Sequence, residues 1–349
     1  MRISSMRAVL AAGVVLAASI GVEARAESLT LVTFSGYYPP TLFEDFKKET
    51  GIDVNLVETS GNEETMAKMV ASGGTGFDLL VVSHPFVEAL NKLGMLSEID
   101  HSKLPNLANL YEEASKLSYD PGLQFSVPWA WDTFGLCYRS DLVSKAPTSW
   151  GDVLNPSDDL KGKYTMVSDE RWFLEPAQLY SGLSINDVSE EALEKIRPLL
   201  VNAKKNVLTF DSFTMHTRLI SGEINMAAAW DNWCNLAIRE NPNVKYVIPK
   251  EGTDTVLDVY VMPKKAENKE AAEKFLNFIL KPEVQGGLIT ELLYKVPNRA
   301  AMEAHKDIVE KYSPLQIPAS DLLKYPMLKD LGADAPRVSK FITEVMSSE

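Results

Sequence analysis

The sequence is poor in the residues that carry most enzyme chemistry. It has two cysteines, Cys137 and Cys234, and four histidines, at positions 84, 101, 216 and 305. No HExxH pattern and no paired cysteines appear, so no metal site and no cofactor are expected. No G-x-S-x-G elbow is present. Gly73-Gly74-Thr75-Gly76 precedes a strand pattern, the reverse of the order that a phosphate-cradling loop needs. Of the enzyme classes, an exported hydrolase with dispersed catalytic residues stays open as an alternative.

Long apolar runs and positive charge are also scarce. The longest apolar run, Ala8–Val22, is about 15 residues, short of the ~20 that span a bilayer. Arg2 and Arg7 precede it and Ala24-Arg25-Ala26 follows, which reads as a secretory signal peptide over 1–26. No cysteine lies near the cut, so no lipid anchor is expected, and the expected location is the periplasm. The net charge is −13 and becomes about −15 once that segment is gone. Such a chain is a poor partner for nucleic acid or an anionic membrane and a good one for cations. About 320 residues remain, more than one core usually serves, which argues for two domains; a monomer is expected. Export permits a disulfide, but spacing cannot show whether the sulfurs meet. Both cysteines sit in apolar stretches, and two buried free thiols are the expectation.

What is present alternates between strand and helix signals. "LTLVTFS" (Leu29–Ser35) reads as a strand. After Pro39-Pro40 an amphipathic helix carries Leu42, Phe43 and Phe46 on one face and stops at Gly51. "DVNLVET" is a second strand. Ser60 and Glu63 fit a capping box for a helix over Glu63–Ser72. "FDLLVVS" (Phe77–Ser83) is almost wholly apolar, as in a parallel sheet covered on both faces. A helix over Pro85–Leu93 follows. Phe134–Arg139 reads as a strand leaving this unit. Another strand ends at Ser168-Asp169, with helices over Pro176–Gly182 and Ser189–Asn202. Glu223–Trp230 and Val244–Pro249 read as strands around a helix "DNWCNLAIREN". Thr255–Pro263 reads as a strand returning to the first unit, with a helix over Lys269–Leu280 after it. The pattern predicts an α/β fold of open, mostly parallel sheets, whose ligands collect at the carboxyl ends of strands. Phe34-Ser35, Ser83 and Trp230-Asp231 all stand at such ends.

Seven motifs in order make the chain resemble a known family: "FKKETGIDVN", "GFDLLVVS", "VPWAWDTFGLCYR", "SWGDVLNP…LKGKYTM", "GEINMAAAWDN", "VMPKKAENKEAAEKFLNFILKPEVQ" and "YKVPNRAA". It resembles the extracellular solute-binding proteins of ABC importers, and among them the spermidine/putrescine-binding group. The resemblance implies the two-lobed, type II periplasmic-binding-protein fold. One lobe would hold 27–131 and 256–298, the other 139–250 and 306–349, with hinges near 132–138, 251–255 and 299–305. It implies ligand capture without chemistry and delivery to a membrane permease. It also implies that rings sandwich an amine's methylenes while carboxylates hold its ammonium groups. The matching positions here are Phe34, Ser35, Tyr37, Ser83, Asp169, Trp230, Asp258 and Tyr294. The family's acid in the Phe34–Tyr37 pattern is replaced by Gly36, and a spermidine-type Glu is replaced by Trp172.

The residues themselves support and complicate that reading. Asp258 interrupts the apolar strand "VLDVYVM", where an unpartnered charge would be costly. Asp231 and Trp233 extend the candidate site, although Asp231 could instead cap its helix and Trp233 could be core. Asp169 could form a local ion pair with Arg171. The expected ligand is a small amine, a polyamine first. With two acid positions lost and Arg171 and Arg218 available, an ω-amino acid such as 4-aminobutyrate is an alternative. The indoles leave a quaternary amine open.

Overall fold

A computed structural model describes residues 27–348. The expected signal peptide, 1–26, lies outside the described residues. Nine strands carry the fold: β1 (Ser28–Phe34), β2 (Asp53–Thr59), β3 (Leu79–Ser83), β4 (Ser126–Arg139), β5 (Tyr164–Met166), β6 (Thr209–Phe210), β7 (Met226–Trp230), β8 (Val244–Val247) and β9 (Thr255–Val261). Their order is β2-β1-β3-β9-β4-β7-β5-β6, with β8 also on β4. β1 runs parallel to β2 and β3, and β9 lies antiparallel between β3 and β4.

The apolar run of β3 has the reason anticipated from its composition. Side chains alternate along a strand: Leu79 and Val81 enter the core on one face of the sheet, and Leu80 and Val82 enter the core on the other. Both faces are covered, so Leu79–Val82 are all apolar, and only Ser83 at the carboxyl end is polar.

β4 joins the two halves. Its first part, Ser126–Thr133, pairs with β9, and its second, from Phe134, pairs with β7 and then β8. At the change of partner, side chains satisfy the backbone. Phe134 N–H donates to Thr253 Oγ1 at 3.0 Å, and the Thr253 hydroxyl donates to Phe134 O at 2.6 Å. A separate core gathers around the second half of β4, with Phe134, Trp150, Tyr164 and Met226 in it.

Four expectations need correction. Ser60 does not pair with Glu63; its N–H and hydroxyl both donate to Glu64 Oε2 at 2.8 Å, ahead of a helix at Asn62–Ala71. Pro176 does not begin a helix but lies inside one, Glu170–Tyr180. Cys137 and Cys234 are not free thiols. They form a disulfide, with Cα atoms 5.6 Å apart and 97 positions between them in sequence number. The physical reason is topological: β7 pairs with β4, and the helix Asp231–Glu240 that follows β7 folds back onto β4, a proximity that no sequence spacing encodes.

The fourth correction concerns the end of the chain. The stretch 299–305 was expected as a hinge and 306–349 on the second half. Instead Arg299–Ala304 is a helix packed on Pro282–Glu291. Ile308, Val309 and Leu315 join the first core, and Leu322 and Met327 join the opposite face of the same sheet. The chain reaches the second core only at Leu328, and Ala335–Ser347 then packs on Glu190–Asn206. An apolar stripe says that a helix is buried but not against which half.

Candidate ligand cleft

The change of partner along β4 leaves a cavity of about 270 Å³ between the two halves. Its geometry starts from strand register. Ser83 on β3 lies opposite Asp258 on β9, and Asp258 lies opposite Ala130 on β4. Asp258 is therefore a carboxylate in mid-sheet, and it is held in place. The Ser83 hydroxyl donates to Oδ1 at 2.6 Å and the Tyr37 hydroxyl donates to Oδ2 at 2.7 Å. Ser83 is itself fixed by Asn62, which accepts from Ser83 N–H at 2.8 Å and donates to Ser83 Oγ at 3.0 Å. Burial raises the Asp258 pKa, against the two hydroxyl bonds that favour the ionised form, and the Asp169 charge raises it further.

The second half contributes Asp169, which precedes the helix Glu170–Tyr180. Its Oδ2 accepts from the Ser212 hydroxyl at 2.6 Å. Burial raises its pKa, again opposed by that bond. The alternative of an ion pair with Arg171 is not realised; Asp169 is bonded to Ser212. Arg171 is spent on structure: Nη1 donates to Lys329 O at 2.8 Å, and Nη2 to Ile185 O at 3.1 Å and Asn186 Oδ1 at 3.0 Å. Arg218 is likewise bound, to Asp211 and Glu223.

Rings form the walls. Tyr37 meets Tyr294 edge-on at 5.0 Å and Phe34 at 5.6 Å. Trp172 meets Trp230 edge-on at 5.3 Å. Its Nε1 donates to Asp254 Oδ2 at 2.9 Å, which fixes the indole in the wall. Trp233 stacks on His216 at 5.0 Å. Phe34, Ser35, Tyr37, Ser83, Asp169 and Trp172 all line the cavity, as do Trp230, Trp233, Asp258 and Tyr294.

Asp231 does not line it. Its side chain is fully buried and points back into the fold, where Oδ2 accepts from Thr133 N–H at 2.9 Å and from the Thr133 hydroxyl at 2.8 Å. It caps no helix either; Trp230 occupies the N-cap position. Its task is to satisfy β4 next to the change of partner. Asp132 lines the cavity instead. Sequence reasoning missed it, although it interrupts the apolar run "VPWAWDTFGLC" just as Asp258 interrupts its own strand. Among the described residues no lysine, arginine or histidine lines the cavity, while three carboxylates do.

This two-lobed cleft has relatives. The model for bacterial extracellular solute-binding proteins matches residues 41–314. The chain belongs to that family. Among the relatives of this solute-binding protein is the spermidine/putrescine-binding periplasmic protein of Salmonella typhimurium, 31% identical over 328 residues, or 93% of this chain and 94% of that protein. The putrescine-binding periplasmic protein of Escherichia coli is 35% identical over 315 residues, 84% of each chain. Among solved structures, one from Listeria monocytogenes, assigned to a spermidine/putrescine ABC transporter, is similar with TM-score 0.86 and 28% identity, covering 92% of this chain and 99% of that one. A spermidine/putrescine ABC transporter substrate-binding protein of Streptococcus pneumoniae shares the fold, with TM-score 0.76 and 24% identity over 91% of this chain and 98% of that one. The fold is the type II periplasmic-binding-protein architecture that the motifs implied.

Proposed function

We propose that this solute-binding protein captures a short polyamine of the putrescine or spermidine class in the periplasm and hands it to the permease of an ABC importer. The observation that carries the reading is the charge of the cleft: Asp132, Asp169 and Asp258 face one cavity that no basic side chain lines, among the described residues. Two of those carboxylates belong to different halves of the molecule, so a cation with two ends draws the halves together. An ammonium over an indole gains roughly 0.5–2 kcal/mol, and each charge-assisted hydrogen bond roughly 1.5–3 kcal/mol. Two charged ends and a ring-lined middle give micromolar binding, about −8 kcal/mol, after ordering costs. The names of the similar proteins agree with this ligand class.

The ω-amino acid alternative loses its main support, because the guanidinium groups that would take a carboxylate are bonded elsewhere. The test is a calorimetric panel on the mature protein with putrescine, spermidine, 4-aminobutyrate and choline. Binding of the first two with little or no heat from the others is the expected result. Preference for 4-aminobutyrate or choline would overturn the polyamine assignment, and turnover of any substrate would overturn the transport reading.

A further inference from the structure

Asp132 sits where the chain passes from one half to the other, and the mechanism above does not explain its neighbours. It is 5% exposed and faces the cavity. In the register of β4 and β9 it lies opposite Val256, two residues along from the Ala130–Asp258 pair. Side chains two apart on a strand share a face, so Asp132 and Asp258 are diagonal neighbours on the cleft side, roughly 7 Å apart at Cα by ordinary sheet geometry. Asp231 reaches the same stretch of β4 as Asp132: its Oδ2 accepts from the N–H and the hydroxyl of the next residue, Thr133, and the Asp231 carboxyl is among the causes that raise the Asp132 pKa. Among the described residues neither Asp132 Oδ1 nor Asp231 Oδ1 has a hydrogen-bond partner.

We propose that Asp132 is the cleft's inner cation-binding carboxylate, and that it takes one ammonium of the ligand in exchange for its own proton. The inference rests on the polyamine reading of the cleft. No covalent bond changes; one proton leaves for the solvent and one ammonium arrives, so the charge at Asp132 stays balanced. The second end of the ligand reaches Asp169 across the cavity.

The surroundings are consistent with the exchange. Burial first, then Asp231, then Asp258 hold the Asp132 proton well above the usual carboxylate range, while Lys295 opposes them. Lys295 is 2% exposed, does not line the cavity, and donates to Ile317 O at 2.7 Å. Burial lowers its pKa to about 8. The remaining titratable groups that face this corner are Tyr37, Tyr294 and Tyr246, each held neutral chiefly by burial. The exchange also accounts for how a cleft that lacks the family's acid at Gly36 can still grip a diamine: the lost charge is supplied from the floor.

The experiment is titration calorimetry with putrescine in buffers of different ionisation enthalpy, from pH 6 to 8, on the wild-type protein and on Asp132→Asn. Wild-type protein is expected to release close to one proton per putrescine, with the association constant rising by up to about tenfold per pH unit while Asp132 is protonated in the free protein. Asp132→Asn is expected to bind at least tenfold more weakly at pH 8, with no proton released and a flat pH profile. Binding by the wild-type protein without proton release overturns the exchange, and this holds even if the variant does not fold. Release that persists in a folded Asp132→Asn assigns the proton to another group and overturns it equally. If neither putrescine nor spermidine binds at any pH, the polyamine reading itself fails, an outcome separate from binding without protons.

Discussion

Tyr37 and Asp258 stand 221 positions apart in the chain, and the tyrosine hydroxyl donates to Asp258 Oδ2 at 2.7 Å. Ser83 donates to the other oxygen at 2.6 Å. The carboxylate is thus oriented before any ligand arrives. Its side chain need not be ordered on binding, which removes part of the entropic cost of capture.

Asp258→Asn removes the charge but keeps the shape, and is expected to weaken putrescine binding by about 10–150-fold, the loss of one charge-assisted bond of roughly 1.5–3 kcal/mol. Tyr37→Phe keeps the charge and removes one donor. Because that donor favours the ionised carboxylate, its loss raises the Asp258 pKa. The weakening in Tyr37→Phe should therefore be larger at pH 5.5 than at pH 8. Calorimetry at the two pH values checks both variants.

Trp230 and Trp172 make one wall, edge to face at 5.3 Å. Trp230→Ala should cost the affinity for putrescine about 1–2 kcal/mol, the loss of an indole face beside an ammonium or its methylenes. Trp172→Phe keeps a ring but strands Asp254, whose Oδ2 accepts from the indole N–H. It should cost stability by roughly 1–3 kcal/mol. Urea titration of the unliganded variants separates the two effects.

Most of this cleft could be read from strand ends. Ser83 and Trp230 are legible as strand ends, Asp169 from the family resemblance, and Asp258 as a charge in an apolar run; all four line the cavity. The same signal at Asp132 went unused, since its strand was read as a hinge. Asp231 carried every local mark of a site residue, an acid between indoles at a strand end. Only the folded contact with β4 shows that its Oδ2 serves Thr133. Long-range facts of this kind, the disulfide and the passage to the second core at 327–328 included, depend on which elements meet. Periodicity along one element does not contain that information.

The disulfide closes a loop of 97 residues between β4 and the helix Asp231–Glu240. By loop entropy it contributes about 4–5 kcal/mol. Cys137→Ala with Cys234→Ala should lower the melting temperature markedly, while leaving putrescine affinity within a few-fold, because neither sulfur lines the cavity. Thermal melts of the variant, and of the wild type with and without reductant, check this.

His84 is fully buried, with Nε2–H donating to Leu328 O at 3.0 Å and Nδ1 accepting from Leu257 N–H at 3.4 Å. Burial lowers its pKa to about 3. The folded value lies below the unfolded one, so the unfolded chain binds the proton first. The contribution of neutral His84 is complete above about pH 6.5 and is lost as the pH falls toward 3. Between pH 7 and pH 5 the loss is about 2 kcal/mol. His84→Gln keeps a donor for Leu328 and does not titrate, so its stability should fall by about 2 kcal/mol less over that interval. Urea unfolding at both pH values reads the difference.

The most direct test of the account is a crystal structure of the mature protein grown with putrescine. One putrescine nitrogen should lie within hydrogen-bonding distance of Asp258 and Asp132, the other at Asp169, and the methylenes against Trp230. Putrescine bound with its nitrogens away from these three carboxylates, or outside the cavity altogether, would contradict it.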